Sequence, residues 1–213
     1  MRREIMAKID ALFVEGPDDG AVVNALVHKL TGVDLAKGKD RLVRTNETGG
    51  GCAWALAEFD KFVAEARPGA RIGVIVDRDE ATNDNWPAVR ARLKRLGWSG
   101  DGPMASGAIV GDRYGIWMWP DNLSHGALES FVAAIIPPSA PLDYAREASR
   151  IAKDIHAAEY EPADAEKAAL KVRSVWRHAR AAGGYGHLVR NLPLVETPAS
   201  QAFIAWFSLL FLT

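Results

Sequence analysis

The sequence predicts an α/β protein: an open sheet with parallel neighbours between helices, followed by an all-helical C-terminal extension. Three observations predict it. Strand-like and helix-like stretches alternate through residue 136. Ile72–Val76 (IGVIV) is a continuous apolar, largely β-branched run of the kind that buried parallel strands use. Beyond Pro137-Pro138 only helical patterns remain. The chain therefore divides into an α/β region, residues 1–136, and a helical extension, residues 137–213, too short for a separate domain and expected to pack on the same core.

In order, Ile9–Val14 (IDALFV) reads as a first strand, closed by Glu15-Gly16-Pro17. Ala21, Val22, Ala25, Leu26 and Leu30 then recur at helical spacing, with Asp18 and Asp19 in the first turn, where the helix dipole favours acids. Leu42-Val43 ends a second strand. After the Gly49-Gly50-Gly51 turn, Ala53–Ala66 aligns Trp54, Phe59 and Val63 on one side of a helix that Pro68-Gly69 stops. Ile72–Val76 is followed by a helix over Pro87–Leu96 and by an aromatic strand, Tyr114–Trp119 (YGIWMW). Gly126–Ile136 is helical again. The extension reads as helices over Leu142–Ala158, Ala163–Ala182 and Ala199–Leu212, the last two separated by Gly183-Gly184-Tyr185-Gly186.

Composition narrows the function. With 213 residues, 48% hydrophobic and 25% charged, the chain is long enough to bury one full core. Its 26 Lys and Arg against 27 Asp and Glu give a formal charge of −1, which disfavours a strongly basic, sequence-independent nucleic-acid binder. One cysteine, Cys52, excludes an intramolecular disulfide and a cysteine-only zinc site. The apolar run Ala202–Leu212 is about half the roughly 20 residues needed to cross a bilayer. No signal peptide is visible. A cytoplasmic protein without membrane contact is expected.

The informative feature is where the acids stand. Glu15 follows the first strand, Asp77 and Asp79 follow the strongest, Asp121 follows the aromatic strand as Trp119-Pro120-Asp121-Asn122, and Glu129 lies in the next helix. Parallel sheets gather functional groups at the carboxyl ends of their strands. Two carboxylates one residue apart on a strand-to-loop bend can reach one hard cation, and magnesium keeps several waters, so few protein ligands suffice. So dense a cluster repels itself unless a cation or protons are present.

Phe13-Val14-Glu15-Gly16 with Asp19, and Asp77-x-Asp79 behind a buried strand, resemble the Toprim domain shared by topoisomerases, bacterial primases, ribosomal-RNA maturases and overcoming-lysogenization-defect nucleases. The segment Trp117–Asn122 with Gly126 and Leu128-Glu129 resembles a small Toprim-related bacterial family, over roughly residues 9 to 135. The resemblance implies a sheet of about four mainly parallel strands, a Mg2+ or Mn2+ cofactor, and a nucleic-acid phosphodiester (DNA or RNA) as substrate. It assigns Glu15 to acid–base chemistry or metal binding, and Asp77 and Asp79 to metal binding at the catalytic centre. Asp19 matches an additional metal-binding acid, and Asp121 and Glu129 are candidates for a second metal site.

Topoisomerase chemistry needs a tyrosine-bearing domain and a primase a larger body, and neither fits this length. No Gly-x-x-x-x-Gly-Lys-Ser/Thr loop supports ATP hydrolysis in cis. Two expectations remain: a metal-dependent nuclease using water as nucleophile, or a metal-dependent nucleotide- or nucleic-acid-binding subunit beside a partner ATPase or within a homodimer. For substrate contact, Gly49 and Gly50 read either as a phosphate-approaching turn or as a connector. Arg90, Arg92, Lys94 and Arg95 read either as a phosphate-tracking helix face or as a solvated one. Lys167, Lys171, Arg173, Arg177, His178 and Arg180 give a tail helix a similar side. Of the seven tryptophans, Trp54, Trp117, Trp119, Trp176 and Trp206 are expected in the core, and Trp86 and Trp98 are the better base-stacking candidates. His125 is expected beside the acidic edge.

Overall fold

The computed structural model describes residues 10–35, 42–46, 50–161, 164–177 and 184–213. Five strands form one sheet: β1 (Ala11–Val14), β2 (Val43–Arg44), β3 (Ile72–Asp77), β4 (Ala108–Val110) and β5 (Tyr114–Trp119), in the order β2-β1-β3-β5-β4. β1 pairs parallel with β2 and β3, and β3 pairs parallel with β5. These are the four strands the sequence predicts. β4 is an addition, antiparallel to β5 at the sheet edge; three residues are too few to show an alternating pattern.

The helices are α1 (Pro17–Thr31), α2 (Gly51–Ala64), α3 (Trp86–Arg95), α4 (Leu128–Ile135), α5 (Ala140–His156), α6 (Ala165–Arg177), α7 (Tyr185–Asn191) and α8 (Pro198–Phe211). Strand alternation sorts them into two layers. Leu12 and Val14 of β1 and Trp117 and Trp119 of β5 pack in one cluster with α1, α4 and the C-terminal helices. Ala11, Phe13, Ile116 and Met118 face the other way, onto α2 and α3. Each fully buried Val, Leu, Ile, Phe or Met side chain in these layers contributes roughly 1.5–3 kcal/mol.

Leu142, Leu170, Leu188 and Phe207 belong to the same cluster as Leu12, so the extension has no core of its own. Its aromatic anchor is a block in which Trp119 lies 4.5 Å from Phe131 and 5.0 Å from Phe203 between ring centroids. Phe203 in turn lies 5.9 Å from Trp206. Trp176 departs from expectation: it is 51% exposed and pairs at 6.0 Å with exposed Tyr144 across α5 and α6. α7 was not anticipated, because Gly184 and Gly186 read as a break. Gly186 is instead a packing requirement, since a Cβ there would stand 2.6 Å from the carbonyl oxygen of Ala21 on α1. The second part of the predicted break-and-helix region, residues 178–183, lies outside the described residues.

Among the described residues no helix is long and apolar enough to cross a membrane. α8, which holds the apolar terminal run, buries Phe203, Trp206, Phe207 and Leu210 in the protein instead. The connections that matter for chemistry start at β1: the chain leaves it toward β2 on one side and returns to β3 on the other. That reversal opens a crevice at the carboxyl ends of β1 and β3.

Candidate functional site

Glu15 and Asp77 meet at that crevice because β1 and β3 are neighbours in register, Val14 opposite Ile75. The Asp77 amide donates to Glu15 Oε1 at 2.8 Å. Asp77 Oδ1 accepts from the Leu128 amide at the start of α4, at 2.9 Å. Asp19, in the first turn of α1, accepts from the Gly16 amide at 3.2 Å with Oδ2 and from the buried indole Nε1 of Trp119 at 3.0 Å with Oδ1. One carboxylate after another thus ties the end of β1 to the ends of β3 and β5.

Asp79 sits two residues past β3 with φ of 63°, a left-handed conformation that a non-glycine residue adopts only where its surroundings enforce it. Two 2.9 Å backbone hydrogen bonds with Gly126 provide that enforcement. Asn85 completes it: its Nδ2 donates to Asp79 Oδ2 at 2.8 Å and to the Asp77 carbonyl at 3.0 Å. Gly51, with φ of 58°, turns the N-terminus of α2 toward Glu15; a Cβ at this glycine would lie 4.0 Å from Glu15 Oε2.

These groups line a cleft of about 600 Å³ that also includes Glu129 and, from the extension, Asp164, Glu166 and Lys167. Nine carboxylates and a single lysine are among its described lining residues. Burial, reinforced by mutual repulsion, pushes the acids up. Glu15 rises to about 7 and Asp19 to about 6, in both cases chiefly through burial. Asp77 rises to about 9 through burial and then the charge of Glu15, and Asp79 is also raised, by burial first. Burial likewise pushes the Cys52 thiol to about 12, which removes it as a nucleophile near neutral pH.

Several expected residues do not join. Asp121 turns back on its own loop, accepting from the Leu123 amide at 2.9 Å, the Ser124 amide at 2.6 Å and the Ser124 hydroxyl at 2.9 Å. A carboxylate with no neighbour to reach caps its local turn. On α3, Arg92 and Arg95 both pair with Asp60, at 3.1 and 3.0 Å, and Lys94 lies 4.0 Å from Asp101. Arg90 of that helix is exposed, with no such pair among the described residues. Gly50 is set by packing, since its Cβ would strike Trp54 at 2.4 Å; Gly49 lies outside the described residues. Trp86 and Trp98 stack on each other edge to face at 5.8 Å and belong to the α3 side of the core. Arg173 is buried rather than part of a basic surface, and His178 and Arg180 lie outside the described residues. His125 does reach the edge, with Nδ1 3.3 Å from the Asp79 carbonyl.

The sequence matches, over residues 9–212, the family described as protein of unknown function (DUF3226). The chain is a DUF3226 protein. No curated protein and no solved structure matches it.

The donors of the DUF3226 cleft are all oxygens, the set that magnesium or manganese takes. Among the described residues, no three His, Cys, Asp or Glu side chains converge closely enough to enclose an ion by themselves. An all-oxygen set of this kind would suit only a cation that retains much of its water. Asp77 Oδ2 and Asp79 Oδ1 carry no hydrogen bond among the described contacts.

Sequence reasoning missed the part Asn85 plays, and it placed Lys167 on a basic helix side rather than in the acidic cleft. Asn85 had a signal, standing just before Trp86-Pro87 where a helix begins. The position of Lys167 in the cleft had none, because only the packing of α6 against α4 brings it there.

Proposed function

We propose that this DUF3226 protein is a Toprim-type, Mg2+- or Mn2+-dependent phosphodiesterase acting on nucleic acid. What supports the reading above all is that the clustered acids are held by neutral donors. Glu15, Asp19, Asp77 and Asp79 accept from the Asp77 amide, the Trp119 indole, the Leu128 amide and the Asn85 side chain respectively. None of these donors cancels a charge. Structural acids are ordinarily paired with a cation when buried; these four are left to be balanced by bound protons or by a cation.

Asp77 and Asp79 would hold the ion, with Asp19 and Glu129 flanking it. A divalent cation there supplies a Lewis acid for the phosphoryl oxygens and offsets charge built up in the displacement. Glu15, raised to about 7 and held in place by the Asp77 amide, is suited to take a proton from an attacking water near neutral pH.

A second reading, a metal-dependent nucleotide- or nucleic-acid-binding subunit working with a partner ATPase or a second copy, is favoured by one observation. Asp121 faces its own turn, and among the described residues no three acids enclose an ion, so these residues do not assemble a full two-metal set.

Calorimetric titration with Mg2+ and Mn2+, on the protein and on D77A/D79A, separates the two when run beside cleavage of plasmid DNA and of RNA. Metal binding and cleavage, both lost in the variant, support the phosphodiesterase. Metal binding without cleavage supports the binding subunit. No binding at millimolar cation overturns both.

A further inference from the structure

We propose that Lys167, supplied by the helical extension, is the residue that holds the substrate's phosphate in this cleft. The inference rests on the phosphodiesterase reading and deepens it. A phosphodiester is an anion, and among the described lining residues the cleft offers it a single cation, Lys167 in the first turn of α6.

Its partners leave it available. Lys167 Nζ lies 3.8 Å from Glu129 Oε1 and 3.8 Å from Asp164 Oδ1, beyond hydrogen-bond length for both. The side chain is 45% exposed on a flexible four-carbon stem. The adjacent Glu166 does not compete, because Arg146 of α5 grips it through Nη2 at 2.7 Å and Nε at 3.2 Å. The ammonium therefore sits over the acidic floor, attracted by two carboxylates and fixed by neither. A non-bridging phosphate oxygen brought in beside the cation is a better partner than either, because it can approach to hydrogen-bond distance. Of the cations first expected to do this work, Arg92 and Arg95 both grip Asp60 instead.

The placement also gives the extension a function. Residues that resemble a catalytic domain end near residue 135, whereas Lys167 lies beyond them and reaches the cleft only because α6 packs on α4. A single cation further implies that the site grips one phosphate at a time, so a short oligonucleotide contains everything needed for binding.

The test is titration of the Mn2+-loaded protein with a phosphorothioate-linked dinucleotide, a hydrolysis-resistant diester, in the unaltered chain, K167Q and K167R. Affinity for Mn2+ alone is measured in parallel. The expected result is a loss of about tenfold or more in dinucleotide affinity for K167Q, within threefold of the unaltered value for K167R, and Mn2+ affinity changed less than twofold in both. With a cleavable oligonucleotide, K167Q raises KM far more than it lowers kcat. Equal dinucleotide affinity in K167Q, or no dinucleotide binding by the unaltered Mn2+-loaded chain, overturns the proposal. Lysine-dependent binding without any cleavage upholds it and overturns the phosphodiesterase reading instead.

Discussion

Acidic residues play opposite parts in the cleft and on the outer helices. On the surface, Asp60 sits between Arg92 and Arg95, and Arg150 bridges Glu147 and Asp154 at 2.7 and 2.8 Å. In the cleft, four more deeply placed acids are held by amide and indole N–H groups alone. Exposed pairs need no compensation, since water already screens them. Buried carboxylates do need it, and these have been given geometry without charge balance. What separates a structural acid from a functional one in this chain is thus the kind of partner it has, and residue type alone carries no such information.

Removing the acids should break the comparison most sharply. D77A/D79A is expected to lower Mn2+ affinity by more than about a hundredfold by calorimetry, while leaving the far-ultraviolet circular dichroism unchanged. Next in size is N85D, which exchanges a donor for a like charge 2.8 Å from Asp79 Oδ2. Partners that orient metal ligands typically account for about 10–100-fold in affinity, and a loss in that range is expected; unchanged Mn2+ affinity would show that Asn85 only braces the turn after β3.

A smaller effect is expected on pH. Asp77, Glu15 and Asp19 titrate at about 9, 7 and 6 in the folded chain, against roughly 4 unfolded. Folding therefore binds protons, and the stability they confer is fully present below about pH 4 and is lost progressively as pH rises from there to about 9. In chelator, Tm should fall between pH 6 and pH 10, and D77N should flatten the decline; an equal decline in D77N would refute the assignment to this cluster. On the surface, D60N should lower stability by only about 1 kcal/mol, some 2–4 °C in Tm. R150A should be the mildest, with Tm within about 1 °C of the unaltered chain.

The sequence exposed the fold wherever local pattern and tertiary role agree. Ile72–Val76 is apolar throughout because both faces of β3 are covered, and Glu15 and Asp77 announce themselves by following strands. What stayed hidden depends on three-dimensional proximity. Gly186 breaks a helical pattern on paper yet is what lets α7 approach α1. Arg92 looks free for substrate until Asp60, 32 positions earlier, is folded against it. Asp121 resembles its neighbours in sequence position, but the loop it begins closes on its own carboxylate. Spacing says where a side chain starts; what it meets is decided by elements far along the chain.

The hydrogen bond from the Trp119 indole to Asp19 has an optical consequence. Indole emission responds to the field along its N–H axis, and this donor points at a carboxylate of the acidic floor from inside the core. A cation arriving near Asp19 alters that field, so the chain contains its own spectroscopic probe of occupancy. The difference between its emission and that of W119F, followed through a Mn2+ or Mg2+ titration, would report binding at this one place without any attached label.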